Sequence, residues 1–164
     1  MKYNLKKINR KLKKIADILK KKHMKITISE SCTGGMLGAM ITSIPGSSAF
    51  FSGGIIAYSN AVKEQFGVSG KTLAHYGAVS VQTAREMASS IRDKMNSDIG
   101  IGITGIAGPG GSTKKKPVGL VYIALSTKKI EQVKQFIFNG RRSMIRRQAC
   151  EKALDIIVDY LVND

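Results

Sequence analysis

Two candidate nucleophiles, a serine and a cysteine, stand side by side in the segment 29–35, which reads SESCTGG. Alternating apolar residues before this segment predict a β-strand over 25–29, and apolar residues after it predict a helix over 34–43. A strand, a tight turn and a helix N-terminus together can bind an anion, because unpaired backbone N–H groups meet the positive end of the helix dipole there. Ser31 and Cys32 are therefore candidate nucleophiles beside a candidate anion site.

A second candidate site is the glycine-rich stretch at 105–111, which follows Thr104 and a buried strand predicted over 99–103. Ligands commonly bind at strand ends in open α/β sheets, and glycines allow a ring or a phosphate to approach the backbone closely. Two interpretations stand from the residues alone, a ligand-binding loop and a merely flexible one.

A phenol and an ammonium group lie together in the polar segment 58–63, which follows a strand predicted over 54–58. Lys63 can act as a general base if burial lowers its pKa, and Tyr58 could relay a proton or hold a substrate oxygen. The alternative interpretation is a core tyrosine and a surface lysine. The histidines and cysteines are scattered without the spacing of metal ligands, so we expect no metal site.

Four arginines gather near the start of the last predicted helix, over 141–162. Arg142 and Arg146 are four residues apart and so share one face of that helix, in a geometry suited to a phosphate group. Cations at a helix N-terminus oppose the helix dipole, and an anionic ligand would relieve this conflict.

Helices alternate with strands along most of the chain, which would bring the candidate residues to strand ends. The exception is an antiparallel hairpin predicted from 118–125 and 130–138. Helices flanking strands predict an α/β fold, a three-layer α/β/α sandwich with a mixed, mostly parallel sheet in one domain over 1–164. The remaining predicted elements are helices at 4–22, 69–76 and 81–95 and a helix or turn around 61–66, with Ser80 as the N-cap of the helix at 81–95.

The composition excludes several classes of protein. At 164 residues, with 43% hydrophobic and 23% charged residues, the chain can form one globular core and is neither fibrous nor disordered. No apolar run approaches the ~20 residues of a membrane span, and the charged N-terminus does not resemble a secretory signal. Cys32 and Cys150 do not suggest a disulfide framework. We therefore expect a cytoplasmic protein with reduced thiols and no membrane partner.

The net charge of +16 is concentrated at the N-terminus, where residues 1–25 carry eleven Lys/Arg and one Asp. Apolar residues recur there at helical spacing and predict a basic amphipathic helix within 1–24. Two interpretations stand, a core-facing helix with a lysine-rich solvated face and a helix that binds nucleic acid or an anionic membrane.

Six motifs resemble, in order and with compatible spacing, those of the CinA C-terminal domain family, which includes nicotinamide-nucleotide amidohydrolases. The resemblance runs from about residue 8 to 162, and the six motifs together are far more specific than any one of them. They are SESCTGG at 29–35, PGSSAFF at 45–51, YSN at 58–60, HYGAVS at 75–80, TGIAGP at 104–109 and KPVG at 116–119.

The resemblance implies hydrolysis of the carboxamide of nicotinamide mononucleotide to nicotinate mononucleotide and ammonia, without metal or cofactor. It further implies an anticodon-binding-like α/β/α architecture, the family's stand-alone form and a homodimer. Ser31 would be the nucleophile, Lys63 its base and Tyr58 a relay or orienting group. The backbone around Cys32, Thr33, Gly34 and Gly35 would bind the oxyanion, Thr104, Gly105, Ala107 and Gly108 would cradle the nucleotide, and Arg142 and Arg146 would hold its phosphate.

Two alternatives remain open at this point. Cys32 could replace Ser31 as nucleophile if the helix N-terminus lowers the pKa of its thiol. The chain could also be a non-catalytic protein that keeps the fold and binds nucleic acid or another anion through its basic N-terminal helix.

Overall fold

The computed structural model describes residues 5–163, so the parts of the predicted domain and first helix at 1–4 and 164 lie outside the described residues. Within these residues there are six α-helices and five strands; three helices follow one another after the second strand, and the last three strands follow one another before the final helix. The helices are α1 (Leu5–Lys21), α2 (Met36–Thr42), α3 (Asn60–Gln65), α4 (Gly70–Tyr76), α5 (Val81–Lys94) and α6 (Arg142–Asn163). The strands are β1 (Ile26–Glu30), β2 (Phe51–Ile56), β3 (Ile99–Gly105), β4 (Leu120–Ser126) and β5 (Glu131–Ile137).

The five strands form one mixed sheet in the order β2-β1-β3-β4-β5. β1 pairs in parallel with β2 and β3, whereas β4 is antiparallel to both β3 and β5. Four strands therefore point the same way and β4 alone runs in reverse. α1, α2 and α6 pack on one face of the sheet and α5 on the other, which confirms the three-layer α/β/α sandwich.

The sequence of β3 explains why the two faces differ. Its isoleucines, Ile99, Ile101 and Ile103, are fully buried in the main core with α1 and α6. The glycines between them face α5, since side chains alternate across a strand. A Cβ atom at Gly102 would lie 2.4 Å from the carbonyl oxygen of Ala84 on α5. Glycine at this position therefore lets α5 lie directly on the sheet.

Gly102→Ala is expected to destabilise the domain, because the added methyl group meets rigid backbone of α5 rather than a flexible side chain. Overpacking of this kind costs about 1–3 kcal/mol, and we expect the upper end of this range, a fall in Tm of about 6–12 °C. Gly110→Ala is the matched control, since nothing lies within 4 Å of a Cβ atom at that position. Thermal denaturation of the two variants measures the difference, and equal Tm values would contradict this account of the packing.

The strand predicted at 54–58 is wrong in its boundaries, because β2 begins at Phe51 and ends at Ile56. Consecutive glycines obscured the pattern, since Gly53 and Gly54 lack the β-branched side chains typical of strands. Gly54 lies in the strand because of packing, as a Cβ atom there would be 2.3 Å from Cγ1 of Ile28 on β1. A tertiary contact therefore decides this boundary.

The amphipathic character predicted for α1 is confirmed. Its apolar residues Ile8, Leu12, Ile15 and Leu19 are buried in the main core, and its lysines lie mostly on the opposite side. Lys11 forms an ion pair with Asp155 of α6, which fixes the helix against its neighbour. Within residues 5–163, no helix combines the length and the apolar character that crossing a membrane would require.

Candidate active site

The direction of the strands brings the predicted functional segments to one edge of the sheet. β1, β2 and β3 all end at this edge, and α6 begins there because β5 also runs toward it. Between these segments lies a small open cleft of about 270 Å³. Its wall comprises Ser31 and Cys32 after β1, Tyr58 and Lys63 after β2, Ala78 and Val79 before α5, the glycine-rich loop after β3, and Arg142 of α6.

Ser31 and Lys63 are in hydrogen-bond contact inside this cleft. The Nζ atom of Lys63 donates to Oγ of Ser31 over 3.2 Å. Lys63 reaches this position from the last turn of α3, a short helix that Ser59 caps by accepting a hydrogen bond from the N–H of Val62. A hydroxyl and an amine at this distance can exchange a proton directly.

Burial disfavours the charged form of Lys63. The side chain is only 1% exposed, and this burial lowers the pKa of Lys63 below its ordinary value of 10.5. Among the described residues no carboxylate forms an ion pair with it that would restore the charge. Its other hydrogen-bond partners are the carbonyl oxygens of Ala57 at 2.8 Å and Tyr58 at 3.1 Å. Only the neutral form of this amine can accept a proton from a serine hydroxyl.

The N-terminus of α2 does not form the anion site that the sequence suggested, because a carboxylate of the protein already occupies it. Glu30 is buried, and its Oε2 atom accepts hydrogen bonds from the N–H groups of Gly35 and Leu37, while Oε1 accepts from that of Gly38. These bonds satisfy the unpaired amides of the first helical turn and complement the helix dipole. A substrate phosphate or oxyanion must therefore bind elsewhere.

Only part of the predicted oxyanion-binding backbone is available. The N–H of Gly34 donates to the carbonyl oxygen of Ser31 over 3.1 Å, and the N–H of Gly35 is bound to Glu30. Of these four residues Cys32 alone lines the cleft, so its N–H is the candidate donor that remains beside Ser31. Thr33, Gly34 and Gly35 support the turn from outside the cleft wall rather than lining it.

Arg146 braces the same turn rather than forming a phosphate clamp with Arg142. Its Nε and Nη2 atoms both donate to the carbonyl oxygen of Thr33, over 3.1 and 2.6 Å. The guanidinium group also packs beside Gly34, whose φ of 59° sets the reversal of the chain. The predicted role of Arg146 in phosphate binding therefore has no support in the geometry, although both arginines do lie on the same side of α6.

Cys32 is a poor nucleophile in this structure. Burial raises the pKa of its thiol from 9.0 to about 12, so the helix N-terminus does not lower the pKa as one sequence interpretation required. A thiol with this pKa is protonated near neutral pH, and the thiolate is the reactive form. The geometry favours Ser31 over Cys32.

Arg142 bridges the mouth of the cleft. Its Nη1 atom donates to the carbonyl oxygen of Gly108 over 2.9 Å, and its Nη2 atom donates to the hydroxyl oxygen of Tyr58 over 2.9 Å. The Tyr58 side chain is 58% exposed. The hydroxyl of Tyr58 thus contacts Arg142 and neither Ser31 nor Lys63, which argues against its predicted role as a proton relay.

Thr104 supports the cleft through the backbone of a neighbouring loop. It is buried at the end of β3, and its Oγ1 atom donates to the carbonyl oxygen of Ala78 over 2.6 Å. This hydroxyl is therefore committed to fixing the loop that carries Ala78 and Val79. The predicted direct contact of Thr104 with a nucleotide gains no support from this geometry.

The glycine-rich loop after β3 lines the cleft with Gly105, Ala107 and Gly108, as the sequence predicted. Because β4 is antiparallel to β3, the loop leaves and re-enters the sheet at the same edge. Two backbone hydrogen bonds close its base, from Ile106 N–H to the Leu120 oxygen and from Gly119 N–H to the Ile106 oxygen, over 2.8 and 2.7 Å. The loop is thereby held as a wall of the cleft.

Sequence reasoning missed Glu30 and the carbonyl of Ala57. Glu30 offered a signal, since an acidic residue just before a turn and a helix can cap that helix. The Ala57 carbonyl offered none, because any backbone oxygen could have accepted the bond from Lys63. Within residues 5–163, no three His, Cys, Asp or Glu side chains come together as the ligands of a metal ion would.

The fold and the site define an α/β/α domain with a buried serine–lysine pair at the edge of a mixed sheet. A model of the CinA C-terminal domain matches residues 9–161, and the chain belongs to this family.

Relatives in sequence and in structure agree with this assignment. A protein described as competence-damage inducible from Thermoanaerobacter sp. strain X514 is 46% identical over 149 residues, which cover 90% of this chain and 36% of that protein. A CinA-like protein from Syntrophomonas wolfei is 49% identical over 140 residues, covering 85% of this chain and 34% of that protein. The chain thus spans about a third of the length of the curated relatives it matches.

Solved structures match almost end to end. The competence/damage inducible protein CihA from Agrobacterium tumefaciens superimposes with a TM-score of 0.92 at 31% identity, covering 97% of this chain and 98% of that chain. A CinA superfamily protein from Enterobacter cloacae superimposes with a TM-score of 0.90 at 34% identity, covering 94% of this chain and 92% of that chain.

Proposed function

We propose that this protein is an amidohydrolase that converts nicotinamide mononucleotide and water to nicotinate mononucleotide and ammonia. The observation that carries the proposal is the 3.2 Å contact between Oγ of Ser31 and Nζ of the buried Lys63 inside the cleft. A hydroxyl activated by a neutral amine is one of the ways in which enzymes attack amide carbonyl groups. The resemblance to nicotinamide-nucleotide amidohydrolases supplies the substrate.

The first half of the proposed reaction forms an ester. Lys63 accepts the proton of Ser31 as Oγ attacks the carboxamide carbon, which gives a tetrahedral intermediate with a negative oxygen. The N–H of Cys32 is the candidate donor to that oxygen. Protonated Lys63 then gives its proton to the departing nitrogen, the C–N bond breaks, and ammonia leaves an acyl-serine.

The second half regenerates the serine. A water molecule attacks the acyl carbon while Lys63 accepts one of its protons, and a second tetrahedral intermediate forms. Lys63 returns this proton to Oγ of Ser31 as the C–O bond to the serine breaks. The product leaves as the carboxylic acid, which gives its remaining proton to solvent water at neutral pH, and the enzyme returns to its starting state.

The cleft has the charge and the size that this substrate requires. Its wall carries the charged Arg142 and no acidic side chain, so it suits an anionic molecule. Val79 and Ile106 offer apolar surface to a flat ring, and Arg142 at the mouth offers guanidinium donors to a phosphate. The volume of about 270 Å³ lies near the lower end of small-molecule sites, which are typically about 300–1,000 Å³, and suits a mononucleotide better than a dinucleotide.

An assay of ammonia release tests the proposal directly. The purified chain is incubated without added metal with nicotinamide mononucleotide, with nicotinamide and with NAD. We expect ammonia from the mononucleotide and far less from the other two, since nicotinamide lacks the phosphate and NAD exceeds the cleft. Absence of ammonia from all three, under conditions in which the chain is folded, would reject the proposed function.

Tyr58→Phe separates a proton relay from a residue that positions Arg142. The variant loses the hydroxyl that accepts from Nη2 of Arg142, so we expect KM for nicotinamide mononucleotide to rise about 3–10-fold with little change in kcat, the effect of losing one ordinary, solvent-exposed hydrogen bond. Steady-state kinetics provide the measurement. A fall in kcat of about 100-fold or more with unchanged KM would instead support a role for Tyr58 as a proton relay.

A further inference from the structure

The structure contains a strongly charged surface that the proposed chemistry does not use. Helix α1 exposes seven basic side chains, and six of them are here called the α1 basic face: Lys6, Arg10, Lys13, Lys14, Lys20 and Lys21. The opposite side of the helix is buried in the main core, so the helix cannot turn these charges inward. From Lys6 to Lys21 the face extends about 22 Å along the helix axis.

The positive charges of the α1 basic face repel one another. Lys6 and Arg10 are spaced i,i+4, as are Arg10 and Lys14, and Arg10 and Lys13 are spaced i,i+3. Like charges at these spacings each destabilise a helix by roughly 0.2–0.5 kcal/mol. Asp17 is the only acidic residue of α1 and lies among these cations, and within residues 5–163 no ion pair joins any of the six to a carboxylate. A polyanion laid along the face would remove this repulsion.

We propose that the α1 basic face binds the phosphate backbone of double-stranded DNA without sequence preference. Duplex DNA presents about one negative charge per 1.7 Å of its axis, so a basic face of this length meets several phosphates at once. Its major groove is about 12 Å wide and admits a helix, whereas the deep, narrow groove of duplex RNA does not. This proposal is independent of the amidohydrolase activity.

Three further observations select the partner. α1 has no aromatic residue, so bases of a single strand find nothing to stack on, and a phosphate-directed contact with a duplex is favoured. The apolar side of α1 is buried, and Leu5 is its only exposed large apolar residue, so the helix has no apolar face to insert into a membrane. Finally, no residue of the α1 basic face lines the cleft that contains Ser31, so a duplex on this face contacts a different part of the surface.

A pair of charge-reversal variants tests the proposal on the full chain. One carries Lys6→Glu, Arg10→Glu and Lys13→Glu on the α1 basic face. The matched control carries Lys128→Glu, Lys129→Glu and Lys134→Glu, which reverse three exposed lysines of β5 and the turn before it and change the net charge equally. Fluorescence anisotropy with a labelled duplex of ~20 mixed-sequence base pairs is measured at about 50 and 150 mM salt, with circular dichroism to confirm folding.

We expect the unaltered protein to bind with a Kd between about 10⁻⁶ and 10⁻⁴ M and with strong salt dependence. The α1 variant should bind at least tenfold more weakly, and the slope of log K against log salt should fall by about 2–3, whereas the control should lose about threefold at most. Equal losses in the two variants would overturn the proposal, because they would reflect net charge alone. Undetectable binding at low salt, or tighter binding to duplex RNA, to a single strand or to anionic vesicles, would also overturn it.

Discussion

Ser31→Ala is expected to abolish the release of ammonia from nicotinamide mononucleotide while the fold remains intact. The substitution removes the oxygen that would form the acyl intermediate and leaves Lys63 without a proton to accept. Loss of the nucleophile in comparable serine hydrolases costs roughly 10⁴–10⁶-fold in kcat, and we expect a loss in this range. Steady-state kinetics with circular dichroism and thermal denaturation as controls provide the measurement.

Cys32→Ala is the matched control for this experiment. It removes the neighbouring candidate nucleophile from the same turn, and the pKa of about 12 indicates a thiol that takes no part in the reaction. We expect kcat to stay within about threefold of that of the unaltered protein, since Cys32 offers the substrate its backbone rather than its side chain. Full activity in Ser31→Ala together with inactivity in Cys32→Ala would show that Cys32 is the nucleophile and would reject the serine mechanism.

Substitution of Lys63 should have the second-largest effect. Lys63→Met removes the amine, and Lys63→Arg keeps a positive charge and hydrogen-bond donors but cannot release a proton near neutral pH. We expect both variants to lose roughly 10³-fold or more in kcat, because general base and general acid assistance disappear together. Substantial activity in Lys63→Arg would show that the charge, rather than proton transfer, is what the reaction needs.

The dependence on pH follows from the lowered pKa of Lys63. Catalysis needs the neutral amine, so kcat/KM should rise with pH through that pKa, which lies below the ordinary value of 10.5.

The contribution of Lys63 to folding stability changes with pH in the same direction. Between the lowered pKa and 10.5 the unfolded chain binds more protons at Lys63 than the folded chain, so Lys63 by itself makes the free energy of unfolding rise with pH there. The buried thiols of Cys32 and Cys150 have raised pKa values and make it fall with pH above about 9, in the variant as in the unaltered protein. Chemical denaturation should therefore show that the difference in free energy of unfolding between the unaltered protein and Lys63→Met rises with pH across this window.

The fold could be predicted from the sequence because its signals are local. Apolar residues at helical spacing predicted α1, and alternating isoleucines and glycines predicted β3 as a buried strand. Ser80 was predicted as the N-cap of α5, and it does accept a hydrogen bond from the N–H of Thr83. β2 was the exception, because the contact of Gly54 with Ile28 that places it in the sheet joins residues far apart in the chain.

The sequence predicted which residues line the site but not which hydrogen bonds they form. Residue types and the family resemblance brought Ser31, Lys63 and Arg142 together, and all three line the cleft. The partner of each polar group depends on geometry that no spacing reveals. Arg146 turned out to hold the Thr33 carbonyl, and Glu30 to fill the helix N-terminus. The predicted homodimer and the cytoplasmic location stay predictions.

The closed base of the glycine-rich loop has a consequence for how this domain could change over time. Since two backbone hydrogen bonds join Ile106 to Gly119 and Leu120, residues between them can be replaced or extended while the sheet stays unchanged. Doubling the length of such a loop costs only about 0.6 kcal/mol in closure entropy. The segment 107–118 is thus a loop that could be replaced while Ser31 and Lys63 keep their positions. Swapping it between relatives offers a way to redirect substrate choice without rebuilding the chemistry.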